Sequence, residues 1–400
     1  MAAGGMPPDP GAAATGASAG MHECVERIRG EIARFGSIGF DRYMELALYG
    51  PGGFFASGRG AGQRGRDFVT SPEIGPLFGS LVARAIDREW RTLGEPDPFA
   101  VIECGAGSGR LARDVLRAGP DCAPALRYLL VEVSAARRAE QHELLPIEPA
   151  DEVLGAFVRS DPEDAASPVE RLGPIVGQLD EIPAHRLDGV VFANELLDNL
   201  PFAIAEWDGH RWLEVRVGAG LEPVLVPLEH AAVLAEFVHA PPGTRVPVPR
   251  GLGPWFEAAA RALRRGAVIA IDYAAPAAEI VSRSPGWLRT YRDYRRGHNP
   301  FAVPGETDIT ADVVIEQVAA AARRAGLGPA TITTQAAWLR SLGIDDLVAE
   351  GRRIWSERAH LGDLIAIEAR SRATQAAQLS DTTTPGSLGN FTVWRVPTRD

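Results

Sequence analysis

The 400-residue sequence contains no lysine, so its 41 basic residues are all arginine, which we interpret as a compositional bias. It has only three cysteines, Cys24, Cys104 and Cys122, without C-x-x-C spacing, which excludes a disulfide framework. The eight histidines lack the spacing of metal ligands, so no metal site is predicted. This cysteine usage fits a reducing compartment, and we expect a cytoplasmic location.

Long apolar runs are also missing. No run reaches the roughly 18 residues that a membrane span needs, so no span is predicted. The net charge of −11 argues against a nucleic-acid backbone as the main partner and is compatible with a basic protein target. Residues 1–20 are rich in alanine, glycine and proline and resemble neither a signal nor a transit peptide, so they are predicted to be a disordered tail.

A glycine-rich segment follows the first strong strand signal. Ala100–Ile102 is predicted to be a buried strand, and Leu111–Leu116 to open a helix. Gly105, Gly107 and Gly109 lie in the turn between them, where glycine permits a positive φ and a close approach of ligand to backbone. The pattern predicts the first half of a nucleotide-binding βαβ unit, with an ordinary glycine-rich turn as the alternative.

The spacing of this turn is G-x-G-x-G, which differs from the G-x-G-x-x-G of dinucleotide-binding proteins. Glu103 precedes the first glycine by two residues, and a carboxylate there repels a pyrophosphate but suits a cationic ligand. S-adenosylmethionine carries a sulfonium and an ammonium group and no phosphate. The electrostatics therefore favour S-adenosylmethionine as the cofactor.

The next predicted strand, Ala125–Glu132, ends in an acid 27 residues after Gly105. A carboxylate at the end of the second strand of such a unit can accept hydrogen bonds from both hydroxyls of a ribose. Glu132 is therefore predicted to bind the cofactor ribose. The alternative is that Glu132 is only a solvated residue at the end of the strand.

A third group of polar residues follows the strongest later strand, Leu187–Ala193. Asn194, Glu195 and Asp198 come directly after it, at the edge where open α/β sheets bind ligands. We predict that these three residues are catalytic and act on the methyl acceptor. The alternative is a helix start capped by Asn194.

The strand and helix signals predict an α/β fold with a doubly wound sheet. Further predictions are a helix from an N-cap at Ser71 to Trp90, helices over 309–325 and 345–370, and an edge strand at 390–395. The predicted organisation is an N-terminal helical and cofactor-covering segment (21–98), a core in two parts (99–202 and 254–400), a β-rich insertion (203–253) and an acceptor-side insertion (276–310).

Seven motifs, taken in order, identify a family. They are Ile38–Tyr49, Arg66–Ile74, Glu103–Gly109, Val131–Ser134, Asn194–Pro201, Pro304–Thr310 and Gln335–Ile344. With them the chain resembles the MidA-like S-adenosylmethionine-dependent methyltransferases, a family that includes a mitochondrial arginine methyltransferase required for respiratory complex I assembly. The match extends over nearly the whole chain after residue 30.

The resemblance implies a class I methyltransferase sheet, Rossmann-like, with S-adenosyl-L-methionine as cofactor. It assigns cofactor contacts to a loop over the cofactor, to the glycine turn and to the ends of two strands: Asp67, Thr70, Glu73, Glu103, Gly105, Gly107, Gly109, Glu132, Val133, Gln178 and Leu179. It also implies an arginine of a partner protein as the acceptor, and a homodimer is left open. A small-molecule acceptor and a cofactor-binding assembly factor without turnover remain alternatives.

Overall fold

The structure, a computed structural model, describes residues 10–57, 70–154, 171–229, 234–237, 240–292, 295–384 and 386–399. The chain divides into two compact units. The smaller unit comprises Met1–Asp67, Pro201–Val248 and Val281–Ala311, and the larger unit comprises Phe68–Leu200, Pro249–Ile280 and Asp312–Asp400. Within the described ranges, no helix is long and apolar enough to cross a membrane.

The strands are numbered along the chain. They are β1 Ile38–Gly39, β2 Phe99–Cys104, β3 Leu126–Val131, β4 Ile147–Glu148, β5 Ile175–Leu179, β6 Leu187–Asn194, β7 Phe202–Trp207, β8 Trp212–Val217, β9 Pro223–Pro227, β10 Arg245–Pro249, β11 Leu263–Asp272, β12 Ala274–Ala275, β13 Leu288–Arg292, β14 Arg295–Gly297, β15 Asp308–Ala311, β16 Val313–Val314, β17 Thr331–Thr334 and β18 Thr392–Pro397.

The α-helices are numbered in the same way. They are α1 Pro10–Phe35, α2 Phe40–Met44, α3 Ser71–Ile74, α4 Pro76–Thr92, α5 Arg110–Arg117, α6 Ala135–Leu144, α7 Ala150–Leu154, α8 Leu252–Ala262, α9 Ala277–Ser282, α10 Ile315–Arg324, α11 Gln335–Ser341, α12 Ile344–Arg358 and α13 Leu364–Leu379. Short π and 3₁₀ turns occur at Glu45–Tyr49 and Leu197–Asn199, among other places.

The larger unit is built on one sheet with the strand order β17-β18-β11-β6-β2-β3-β5-β4. The strands from β11 to β4 run parallel, whereas β18 runs antiparallel to both of its neighbours. The chain leaves β2 toward β3 on one side and returns to β6 on the other. The crevice beyond the carboxyl ends of β2 and β6 is therefore the expected ligand site of an open α/β sheet.

Both faces of this sheet are covered. In β2, Phe99 and Val101 belong to one apolar cluster, and Ala100, Ile102 and Cys104 belong to another. Because successive side chains of a strand point to opposite faces, the two clusters are the cores on either side of the sheet. This burial explains why the central strands are near-continuous apolar runs in the sequence.

The smaller unit contains the antiparallel sheet β1-β8-β7-β10, with β9 paired to β8, and the antiparallel sheet β14-β13-β15. Strands β7 to β10 lie in the region predicted as a β-rich insertion. Phe40 and Tyr43 pack with Phe301 at centroid distances of 5.8 and 5.4 Å, and the Tyr43 hydroxyl donates to the carbonyl of Pro300.

The N-terminal part differs from the predictions at two places. Helix α1 begins at Pro10, inside the segment predicted to be a disordered tail, and residues 1–9 lie outside the described ranges. The alanines of this stretch favour helix. The predicted helix from Ser71 to Trp90 is interrupted at Gly75, whose φ of +147° ends α3 before Pro76 opens α4, and its cap is Thr70.

Three predictions for the C-terminal part also need correction. Residues 308–311 and 313–314 are strands, so the predicted helix over 309–325 begins only at Ile315, because β-branched residues dominate its first turns. The predicted single helix over 345–370 is two helices, separated at Gly362 with a φ of +60°. Strand β18 is not an edge strand, because β17 pairs with its outer side.

Candidate active site

The glycine loop, Gly105–Gly109, connects β2 to α5. Its three glycines have φ values of +71°, +54° and +80°, as expected for positions that glycine alone adopts readily. The amides of Gly105 and Ala106 donate to the carbonyl of Val131, which ties the loop to the end of β3. A Cβ atom placed on Gly107 would meet no protein atom within 4 Å, so the backbone there borders open space.

Glu132 holds this loop from the end of β3. Its Oε2 atom accepts from the amide of Gly107 at 2.9 Å, and its Oε1 atom accepts from the amide of Ser134 at 2.8 Å. Gln141 donates to the carbonyl of Gly107 at 2.8 Å, which fixes the following peptide of the loop. Burial raises the pKa of Glu132. A carboxylate has about four acceptor positions, so two remain for a ligand.

Glu103, at the end of β2, is 4% exposed. It accepts a hydrogen bond from the hydroxyl of Tyr128 at 2.7 Å. Burial raises the pKa of Glu103 to about 8, with a further contribution from the negative charge of Glu132. This shift favours the protonated form of Glu103 at neutral pH and so acts against the negative charge on which the sequence argument relied.

The other predicted cofactor residues lie at two places in the larger unit. Val133 follows β3 and is 57% exposed, unusual for an aliphatic side chain beside a buried strand. At the end of β5, Gln178 contacts His142 through Nε2, and its buried Oε1 atom has no partner among the residues that the structure describes. The carbonyl of Leu179 accepts from the amide of Glu132.

The predicted loop over the cofactor lies only partly within the described ranges, since Asp67 is outside them. Thr70 caps α3, and its amide donates to Glu73 Oε2 at 2.9 Å. The Glu73 side chain is thus part of a capping interaction. Its assignment to the cofactor stays a prediction, as do those of the other site residues.

The acceptor loop, Asn194–Asp198, follows β6. The amide of Glu195 donates to the carbonyl of Ile271, and the residue has a φ of +53°, which is strained for a non-glycine residue. Glu195 Oε1 accepts from the amide of Ser71 at 3.0 Å and from Nδ2 of Asn194 at 2.9 Å. Within the described ranges, its Oε2 atom accepts no hydrogen bond, and the buried Oδ1 atom of Asn194 has no partner.

The alternative of a helix capped by Asn194 is wrong, because only the 3₁₀ turn Leu197–Asn199 follows and no side chain caps it. Asn194 instead donates to its neighbour Glu195. Burial raises the pKa of Glu195 to about 8, although the amide of Ser71 lowers it.

Two residues of this site were not predicted from the sequence. Asp272, fully buried at the end of β11, accepts from the amides of Leu197 at 2.8 Å and Asp198 at 3.2 Å. Burial raises its pKa well above the usual range, with the charges of Asp198 and Glu195 adding to the effect. The hydroxyl of Tyr273 donates to Asp198. The available signal in the sequence was an acid directly after the apolar run Gly266–Ile271.

The carboxyl groups of Glu195, Asp198 and Asp272 form a group that we call the acidic cluster. Within the described ranges, neither Glu195 nor Asp272 forms an ion pair with an arginine or histidine. Buried carboxyl groups without a counter-charge either stay protonated or bind a cation. The cluster is therefore a suitable environment for a cationic ligand.

A parallel sheet with a glycine loop after its central strand and a carboxylate after the next strand is the arrangement of class I methyltransferases. Comparisons with known proteins identify the family. A family described as S-adenosyl-L-methionine-dependent methyltransferase matches residues 81–333. A solved structure from Burkholderia thailandensis, bound to S-adenosyl-homocysteine, is 30% identical, with a TM-score of 0.76 over 98% of this chain and 94% of that chain.

Two curated relatives carry a more specific name. The Drosophila melanogaster homolog of the mitochondrial protein arginine methyltransferase NDUFAF7 is 27% identical, over 75% of this chain and 70% of its own length. The human NDUFAF7 is 28% identical, over 79% of this chain and 72% of its own length. The chain belongs to the family of S-adenosyl-L-methionine-dependent methyltransferases, which confirms the resemblance, the fold class and the cofactor.

The residues on the β2, β3 and β5 edge fit this cofactor. Gly107 leaves open space beside bare backbone, Glu132 keeps unused acceptor positions, and the buried Oε1 of Gln178 needs a donor. The exposed Val133 offers an apolar surface for a base. These four residues are the ones that would hold the cofactor, together with the rest of the glycine loop.

Proposed function

We propose that this methyltransferase acts on an arginine of a partner protein. The observation that carries the proposal is the acidic cluster, in which Glu195 and Asp272 have no ion-pair partner among the described residues. A guanidinium is a planar cation that binds carboxylates through two parallel hydrogen bonds. The Drosophila and human relatives are named protein arginine methyltransferases, which supports the same acceptor.

The acceptor loop supplies two kinds of hydrogen-bond acceptor for such a group. Oε1 of Glu195 is held by two donors, whereas its Oε2 atom and the buried Oδ1 atom of Asn194 have no partner in the described part of the chain. Asp198 is fixed by Tyr273 and, through its backbone, by Asp272. This arrangement restricts the rotation of a bound guanidinium, which raises the rate by orienting the attacking nitrogen.

The bound cofactor supplies an electrophilic methyl group on a sulfonium. The acceptor nitrogen must lose a proton in the reaction, and we assign its acceptance to Oε2 of Glu195. A carboxylate whose pKa is raised to about 8 is a stronger base than an ordinary one. Glu195 must be ionised for this role, so turnover should rise with pH through that range.

Two alternative functions, methyl transfer to a small molecule and an assembly role without turnover, are compatible with the same fold. A small-molecule acceptor does not need several carboxyl groups at one loop, and an assembly factor without turnover does not need a half-buried, strained glutamate. The cytoplasm remains our proposal for the location, supported by the three cysteines, which are free and buried.

The proposal is tested with purified protein, labelled cofactor and an extract of cells that lack it. Mass spectrometry should find methylarginine in a protein of the extract. In Glu195→Gln, which keeps the size of the side chain, turnover should fall by about 100-fold or more while S-adenosylhomocysteine binding survives. Glu181→Gln, at an exposed glutamate, is the matched control. Full turnover in Glu195→Gln, or label only in small molecules, would contradict the proposal.

A further inference from the structure

The side chains of Ser71 and Gln335 have no role in the site described so far, and the larger unit brings them together. Ser71, from the motif Arg66–Ile74, donates through its hydroxyl to Oε1 of Gln335, the first residue of the motif Gln335–Ile344, at 3.2 Å. The residues are 264 positions apart in the chain, and both are 0% exposed. The structure near either motif does not explain a buried hydrogen bond between residues so far apart in the chain.

The same serine contacts the acceptor loop. The amide of Ser71 donates to Oε1 of Glu195 at 3.0 Å, so one residue connects Gln335 with the carboxylate. The position of this amide is set by the short helix α3, which Thr70 caps and Gly75 ends. Gln335 is therefore connected to Glu195 through one intermediate residue.

Gln335 is itself fixed on every side. Its backbone amide donates to the carbonyl of Phe391 at 2.7 Å, and Nε2 donates to the carbonyl of Leu379 at 3.1 Å. Because Nε2 faces a carbonyl, the assignment of the side-chain amide is unambiguous, and Oε1 must be the acceptor for Ser71. Both polar atoms of the Gln335 side chain are thus hydrogen-bonded in the core.

The backbone strain at Glu195 indicates what the hydrogen bonds among Gln335, Ser71 and Glu195 contribute. A non-glycine residue with a φ of +53° keeps that conformation only when its surroundings determine it. The Ser71 amide is one of two donors to Oε1, and it leaves Oε2 without a bond among the described residues. If Ser71 shifts, both the orientation of the carboxylate and the stability of its charged form change.

We propose that Gln335, acting through Ser71, is a positioning residue that holds the Glu195 carboxylate for methyl transfer. The inference rests on the proposed role of Glu195. The proposal gives a function to the side chain of Ser71, in the motif Arg66–Ile74, and to that of Gln335, in the motif Gln335–Ile344. It also means that α3 supports the acceptor side of the site.

The test compares Ser71→Ala and Gln335→Met, which both remove the side-chain bond, with Thr334→Ala. Thr334 precedes Gln335 and caps α11 by accepting from the amide of Ala337, so its loss weakens the same helix without touching the network. For the first two variants we expect kcat to fall by about 10- to 100-fold with little change in the KM for the cofactor. Thr334→Ala should lower Tm and keep kcat.

A second readout does not depend on turnover. The carboxyl ¹³C resonance of Glu195, assigned by its absence in Glu195→Gln, is titrated by NMR. A looser Ser71 amide stabilises the charged form less, so the pKa of Glu195 should rise in Ser71→Ala and Gln335→Met. The acid limb of the kcat–pH profile should move to higher pH by the same amount, whereas Thr334→Ala should show neither change.

The outcomes separate the two proposals. If Ser71→Ala and Gln335→Met lower only Tm, as Thr334→Ala does, Gln335 is a structural residue and this inference is wrong. If Gln335→Met does not fold, Ser71→Ala decides alone, because it removes only a hydroxyl. Loss of turnover in Glu195→Gln without any effect of the Ser71 variant contradicts this inference and leaves the proposed function intact. Full turnover in Glu195→Gln overturns both.

Discussion

Oε2 of Glu132 lies 2.9 Å from the backbone nitrogen of Gly107, which donates to it. This bond joins the end of β3 to the turn after β2. It shows that Glu132 is not a merely solvated strand end, since the residue is 9% exposed and fixes the backbone of the glycine loop. A ligand hydroxyl that binds Glu132 is thereby placed beside the open space at Gly107.

The first prediction concerns Glu132→Gln. The variant keeps the length of the side chain but removes the charge and one acceptor atom. We expect the affinity for S-adenosylhomocysteine to fall by about 1.5–3 kcal/mol, as for a hydrogen bond to a charged group. Calorimetry measures the change, and Glu143→Gln, at an exposed residue of α6, is the control. Equal affinities of the two variants would mean that Glu132 supports only the loop.

The second prediction separates ligand space from backbone strain. Gly107 and Gly119 have φ values of +54° and +65°, and a Cβ atom on either meets no protein atom within 4 Å. Alanine therefore costs a similar backbone strain at both positions, about 1 kcal/mol. Gly107→Ala should abolish cofactor binding, whereas Gly119→Ala should only lower Tm. Cofactor binding by folded Gly107→Ala at the wild-type affinity would show that the open space is not the ligand site.

The features that could be predicted from the sequence depend on residues that are close together in the chain. Three alternating glycines after an apolar run predict the turn after β2, because those positions need a positive φ. The acid after the next strand predicts Glu132, because successive parallel strands end at the same edge of the sheet. For the same reason Asn194, Glu195 and Asp198 were found after β6.

The features that sequence could not predict depend on distant contacts. Nothing near Gln335 indicates that its side chain accepts from Ser71, 264 residues away. Asp272 was not predicted as a site residue, because its place in the site follows from its bonds to the amides of Leu197 and Asp198, which are distant in the chain. The protonation of Glu103 could not be predicted for the same reason, since burial shifts its pKa and burial requires the fold.

The last prediction is a pH dependence of stability. The pKa of Glu103 is about 8 in the folded protein, against an ordinary value of 4.5 that we take for the unfolded chain. The folded state therefore binds the proton more tightly. The stabilisation from the protonated form is complete below about pH 4.5 and is lost as the pH rises through about 8. The free energy of unfolding should fall by up to ~1.4 kcal/mol per pH unit in between.

Glu103→Gln isolates this contribution, because glutamine stays neutral and its side chain still reaches the hydroxyl of Tyr128. Urea unfolding of the wild type and the variant is compared at pH 5, 6.5 and 8. The free energy of unfolding of Glu103→Gln minus that of the wild type should increase steadily as the pH rises. The same difference for the exposed Glu143→Gln should stay constant. A difference that is constant for Glu103→Gln, or that shifts in favour of the wild type, would show that Glu103 is ionised in the fold. The negative charge first expected beside the glycine loop would then be present.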